Sequence, residues 1–209
     1  CGRDALVEAA LAVGREAVGS PVTHWFVGDE GSGRSRLLAE LRDTFRFEQS
    51  MVVLTGRGLD PAAGLSAIRS LFDQLPQYVK GLPSALLADL LGPSVSFAIE
   101  LSPGLRDFLP WADEIPAGMD ASSRRVLRLQ AAERLIALAA RVGSVVLLVD
   151  DAERVDPDSM ELLRHLSQAA ADDNPIRGRP VFLGIAGSGE GPDWAGPLRP
   201  IEPLQSSDV

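Results

Sequence analysis

The sequence predicts an α/β domain of three layers, with a five-stranded, mainly parallel sheet between helices and a helical insert between the second and third strands. Three observations predict it. Short apolar, β-prone runs at 23–27, 51–55, 145–149 and 181–186 alternate with stretches of helical periodicity, the pattern of parallel strands joined by helical crossovers. The run Val145–Val149 is apolar at every position, as a strand covered on both faces requires. The first run leads straight into a glycine-rich turn and then an amphipathic helix.

Taken in order, residues 2–18 read as a helix with Leu6, Ala9, Ala10, Val13 and Ala17 on one face, broken by Gly19, Ser20 and Pro21. Thr23–Val27 is the first strand. After the glycine turn, Leu37, Leu38, Leu41 and Phe45 recur at helical spacing. Met51–Thr55 is the second strand, ended by Gly56, Arg57 and Gly58. Residues 61–141 are mostly helical and punctuated by prolines at 76, 83, 93, 103, 110 and 116. The longest of these helices spans 122–141, with Val126, Leu129, Leu135, Ile136 and Ala139 in phase. Val145–Val149 ends in Asp150 and Asp151. Asp156 and Pro157 are an N-cap and a first-turn proline, opening a helix through Met160, Leu163 and Leu166 to about Ala170. A polar loop over 172–180 precedes the fourth strand, and 198–204 supplies a short fifth.

The chain has 209 residues, 45% of them hydrophobic, enough for one large domain with a sizeable core. Its net charge of −9 argues against broad binding of nucleic acid or of an anionic membrane by this segment. No unbroken apolar run approaches the roughly 18 residues of a membrane span, and Asp4 and Glu8 interrupt any signal sequence. The one cysteine, Cys1, forms no internal disulfide and fits a reducing, cytoplasmic setting. Residues 1–209 read as a single domain of a longer protein.

The chemistry concentrates at two places. Gly28, Asp29, Glu30, Gly31, Ser32, Gly33, Arg34 and Ser35 meet the phosphate-loop pattern Gly-x4-Gly-Lys-Ser/Thr, except that Arg34 stands where lysine is expected. Such glycines let the backbone curl until its N–H groups converge on phosphate oxygens, and the following helix adds its positive N-terminal end. The candidate phosphate-binding residues are Gly28 to Ser35 together with Arg36, and the Ser35 hydroxyl is a candidate Mg²⁺ ligand. Asp150, at the end of an apolar strand, is the second candidate Mg²⁺ ligand, and Asp151 is the candidate to orient an attacking water. The implied ligand is a nucleotide with Mg²⁺. His24 and His165 lack a partner at catalytic spacing and read as structural. Trp25 lies on the first strand, and Trp111 and Trp194 in loops read as packing residues. No Ser-His-Asp arrangement and no metal-ligand cluster is present in the sequence.

With these residues in view, the chain resembles the nucleotide-binding domain of STAND-type signalling ATPases, within the wider AAA-like group of P-loop NTPases. The subgroup it resembles comprises the ATPase domains of large LuxR-type transcriptional regulators and of related bacterial kinases and cyclases. Gly2, Arg3 and Asp4 match the Gly-Arg-Glu that opens these domains. Gly28 to Leu41 match their phosphate loop and its helix, Gly56 and Arg57 their Gly-Arg after the second strand, and Leu147 to Leu166 their Walker B segment and following helix.

The resemblance implies ATP or ADP as the nucleotide, with Arg3 at its adenine end. Arg3 and Asp4 read equally well as an exposed helix start. Arg57 reads more readily as a surface residue, and Arg177 and Arg179 are candidate arginine fingers acting in trans. The resemblance also implies partners among other domains of the same protein, with self-association left open. Three departures stand out. The loop lysine is Arg34, the family's His/Gln-Trp after the double aspartate is Glu153 and Arg154, and its Thr-x-Arg phosphate sensor after the fourth strand is Ala186 and Ser188. Arg34 is either still a phosphate ligand in altered geometry or swung out of the loop. The expected function is a nucleotide-dependent switch with weak or no hydrolysis; the alternative is a pseudo-ATPase scaffold.

Overall fold

The computed structural model describes residues 8, 12, 22–47, 51–168, 182–194 and 198–201. Five strands form one sheet: β1 (Val22–Val27), β2 (Met51–Arg57), β3 (Ser144–Asp150), β4 (Phe182–Gly187) and β5 (Leu198–Pro200). Their order is β2-β3-β4-β1-β5 and every pairing is parallel. Helix α1 (Arg34–Phe47) links β1 to β2. Between β2 and β3 lie α2 (Ser66–Phe72), α3 (Leu75–Val79), α4 (Ser84–Leu91), α5 (Val95–Leu101) and α6 (Ala121–Ala139), with 3-10 turns at Gly92–Ser94 and Pro103–Asp107. A further 3-10 turn, Ala152–Arg154, leads into α7 (Pro157–Gln168). The expected α/β architecture with its helical insert is the architecture found.

Side-chain alternation along the strands builds the three layers. Phe26, Val53, Val146, Leu148 and Phe182 pack on one face against Leu37, Leu38, Leu41 and Phe45 of α1. Val52, Leu54, Val145, Leu147 and Val149 point to the other face, into a larger core shared with the insert and α7. All four apolar positions expected of α1 are buried.

Several boundaries differ from the sequence reading. β2 runs on through Gly56 and Arg57, because its pairing with β3 continues to Arg57 opposite Asp150. The expected strand end is therefore a strand interior. Helix α6 buries Ala131, Ala132, Leu135, Ile136, Leu138 and Ala139, whereas Val126 is 48% exposed. In its N-terminal half Leu127 and Leu129 pack against the core only partly buried, and Val126 turns to solvent. Of the expected N-terminal helix only Glu8 and Ala12 are described, both helical and exposed. The loop over 172–180, the C-terminal end of the expected fifth strand and both candidate finger arginines lie outside the described residues.

Among the described residues one window, Ser84–Leu101, reaches membrane-span length, with a mean hydropathy of 1.4. It is not one rod. The turn at Gly92–Ser94 divides it into α4 and α5, and Leu87, Leu91, Phe97, Ala98 and Leu101 bury in the core.

Asp156 joins the insert to the segment after β3. Its carboxylate is fully buried. It accepts from the Ser159 N–H and hydroxyl, both at 2.8 Å, which caps α7 as expected. The same carboxylate accepts from the N–H groups of Leu65 (2.8 Å) and Ser66 (2.9 Å) and from the Ser66 hydroxyl (3.1 Å). It thus also caps α2, whose own N-cap residue Leu65 is held left-handed at φ 65° and supplies no side-chain cap. Burial alone would raise its pKa. The Ser159, Leu65 and Ser66 donors outweigh that and hold the carboxyl below its ordinary value.

Asp156→Ala strips two helix starts of acceptors at once and is expected to destabilise the fold by about 3 kcal/mol, with Asp156→Asn milder, measured by urea unfolding. Because the folded-state pKa is depressed, the carboxylate's contribution is complete above its unfolded value near 3.8 and lost as pH falls through the lower folded value. The wild type should therefore lose more stability than Asp156→Asn between pH 5 and about pH 2.

Candidate functional site

Because all strands are parallel, their C-terminal ends share one edge, and the loops leaving β1, β2, β3 and β4 meet there. The loop after β1 carries the phosphate-binding pattern. Gly31 and Gly33 adopt φ 80° and 83° on either side of Ser32, a conformation that other residues adopt only with strain. The loop is drawn tight: the Ser32 N–H donates to the Asp29 carbonyl at 3.0 Å, and a Cβ on Gly28 would lie 2.3 Å from the Ser32 Oγ. The first intrahelical bond of α1 runs from the Leu37 N–H to the Gly33 carbonyl at 3.0 Å. The N–H groups of Arg34, Ser35 and Arg36 precede it, so they have no acceptor within the helix. A tight glycine cradle capped by a helix N-terminus fits the phosphates of a nucleotide.

Ser35 and Asp150 line one cavity of about 280 Å³, together with Arg42, Thr55, Arg57 and Ser70. One Asp150 oxygen accepts from the Asp151 N–H at 2.9 Å. One hydroxyl and one carboxylate suit Mg²⁺, which keeps several waters and takes further ligands from phosphate. No cluster of three or more His, Cys, Asp or Glu side chains suited to a metal occurs among the described residues, so any Mg²⁺ here depends on the nucleotide.

The remaining expected residues have quite different neighbours. Arg34 does not hang free. Its Nη2 lies 3.0 Å from Glu153 Oε1 and its Nη1 3.4 Å from Glu153 Oε2. Glu153 Oε2 also accepts from the Ser188 N–H at 3.3 Å. Burial pushes the Glu153 carboxyl up, but its own N–H, the Arg34 guanidinium and the Ser188 N–H together hold it below the usual range. Asp151 sits at φ 50°, left-handed for a non-glycine residue, and its Oδ2 accepts from Arg57 Nε at 2.5 Å. Arg57, read from the sequence as a surface residue, is exposed yet paired with the candidate water-orienting acid.

The Arg36 side chain lies back along α1, pairing with Glu40 at 3.1 Å. Only its backbone N–H is directed to the cradle. Asp29 and Glu30 are exposed. Ala186 is buried within β4, and Ser188 offers its backbone at the edge. Arg3 lies outside the described residues. His24 is buried and stacked on Phe182, accepting from Arg199 at 3.3 Å. Burial first, and then the Arg199 charge, lower its pKa. His165 bonds Glu133 at 2.7 Å between α7 and α6. Both histidines stand away from the sheet edge, as the structural reading of them expects.

Sequence reasoning named Glu153 only as a departure and missed that it engages Arg34. The signal was there: two departures from one pattern, of opposite charge.

The family model for the AAA ATPase domain matches residues 2–181. The chain therefore belongs to the AAA ATPase domain family, a class of P-loop nucleotide-binding domains. No curated protein matches the chain at a significant level.

Gly58 makes the approach of the β2 and β3 exits possible. A Cβ there would lie 2.3 Å from the Asp151 carbonyl oxygen and 2.6 Å from the Arg154 carbonyl carbon. Gly58→Ala is expected to cost about 2 kcal/mol or more in thermal or urea unfolding, because the atoms in the way are backbone.

Proposed function

We propose that this chain is the nucleotide-binding switch domain of a signalling or transcriptional regulator, of the STAND type found in large LuxR-type proteins. It takes ATP or ADP with Mg²⁺ and turns it over weakly or not at all. The loop backbone from Gly28 to Ser35, with the N–H of Arg36, holds the phosphates. Ser35 and Asp150 hold Mg²⁺, which when bound offsets phosphate charge. The observation that carries the weak turnover is the pairing of both key side chains. Arg34 is bonded to Glu153 and Asp151 to Arg57. A guanidinium held by a carboxylate offers little charge to a developing transition state, and a carboxylate held by an arginine is a poor water-orienting group.

The same two pairs also favour the second reading, a pseudo-ATPase scaffold that keeps the fold and has lost turnover. Output and regulation belong to other domains of a longer protein, in contact with this one, and the setting is cytoplasmic.

Calorimetric titration separates the outcomes. Micromolar binding of nucleotide that depends on Mg²⁺ is expected, with phosphate release slower than about 1 s⁻¹, below the range of ordinary enzymes. Ser35→Ala and Asp150→Asn should each abolish most of the Mg²⁺ enhancement while leaving metal-free binding nearly unchanged. Absence of any nucleotide binding would refute the switch and leave the scaffold.

A further inference from the structure

One stripe of helix α6 changes chemistry halfway along. Leu138, Leu135 and Ala131 are buried in the core. At the same spacing of three and four residues the stripe continues to Arg128 and Arg124. There it borders a cleft of about 250 Å³ between α6 and the start of α7. Leu65, Leu129 and Leu162 give the cleft an apolar lining.

Three arginines stand along it, and they are not equivalent. Arg128 is held by both oxygens of Glu100, from Nε at 2.8 Å and from Nη2 at 2.6 Å. Arg125 is paired with Glu161. Arg124, half-buried beside them, has no hydrogen-bond or ion-pair partner among the described residues. It is the fourth residue of α6, in the turn where a helix's own dipole favours an acid. Neither a pair nor the helix accounts for its charge.

The cleft is smaller than the roughly 300–1,000 Å³ of small-molecule sites. It suits one apolar side chain with a carboxylate beside it, which a guanidinium can grip with two donors. A second cleft, lined by Met160, Arg164 and Trp194, adjoins it, because Glu161 lines both. Tryptophan, methionine and arginine are the side chains enriched where proteins meet. Together the two clefts hold four arginines against Asp158 and Glu161, in a chain whose net charge is −9. Neither shares a residue with the phosphate loop or with the cavity of Ser35 and Asp150.

We propose that this face of α6 and α7 docks an acidic protein segment, which sets an apolar side chain among Leu65, Leu129 and Leu162 and a carboxylate on Arg124. The segment supplies the negative charge that the local excess of arginine lacks. At physiological ionic strength charges are screened beyond about 8 Å, so its acids respond to these arginines more than to the −9 of the whole chain.

Fluorescence anisotropy of the chain with labelled peptides of about 16 residues tests this. In the first set a leucine is flanked by glutamates, with the leucine in every helical register. In the second set lysines replace the glutamates, and in the third serine replaces the leucine. At least one acidic peptide should bind with a Kd below roughly 100 µM, and its lysine and serine counterparts at least tenfold more weakly. Arg124→Gln should weaken that binding at least threefold and Arg124→Glu at least tenfold, with melting curves showing both variants folded. Arg141→Glu, an exposed arginine beyond the opposite end of α6, should leave it within twofold. Failure of every acidic peptide to bind would overturn the proposal. So would equal binding of the lysine peptides, or an affinity that Arg141→Glu lowers as much as Arg124→Glu does.

Discussion

Parallel strand direction governs everything else in this chain. With β1 to β4 all running one way, the four loops that leave their C-terminal ends are forced onto one edge of the sheet. Residues more than 100 positions apart thereby become neighbours, as Arg34 and Glu153 do. The order places β4 between β1 and β3. The phosphate loop after β1 and the acids after β3 therefore face each other across the exit of β4, where Ser188 offers its N–H. The helices serve this edge. Helix α1 brings its N-terminus to the cradle, and Asp156 ties α2 and α7 beside it with one buried carboxylate.

Replacing lysine by arginine changes more than size. Lysine is a compact charge that follows a phosphate, whereas arginine is a planar fork that matches a carboxylate with two donors. Given an acid within reach, arginine is the side chain better suited to pair with it, and Glu153 is that acid. The second pair, Arg57 with Asp151, follows the same logic on the other side of the cleft. In the proposed reading the loop backbone binds phosphate, while Arg34 and Asp151 are each held by a side chain of opposite charge, Glu153 and Arg57. Membership of the AAA ATPase domain family is compatible with the weak turnover proposed above for that reason.

The sheet was legible because buried parallel strands must be apolar throughout, as Val145–Val149 is, and because α1 repeats its apolar residues at helical spacing. The cradle was legible because positive φ at Gly31 and Gly33 demands glycine, which leaves a mark in the sequence. Side-chain pairing was not. Nothing local tells Arg34 that its partner lies beyond a helical insert, or tells Asp156 that it caps α2 as well as α7. The phase of α6 misled at Val126, because its neighbours Leu127 and Leu129 are the ones that turn to the core there. Arg57 was underrated for a related reason: exposure and engagement are different properties, and the sequence reports at best the first.

A crystal structure of the chain grown with ADP and Mg²⁺ would test the central claim most directly. The account predicts phosphates on the N–H groups between Gly28 and Arg36, Mg²⁺ beside Ser35 and Asp150, and the Arg34–Glu153 pair still closed. Phosphates gripped by an Arg34 released from Glu153, or a nucleotide bound away from the loop, would contradict it.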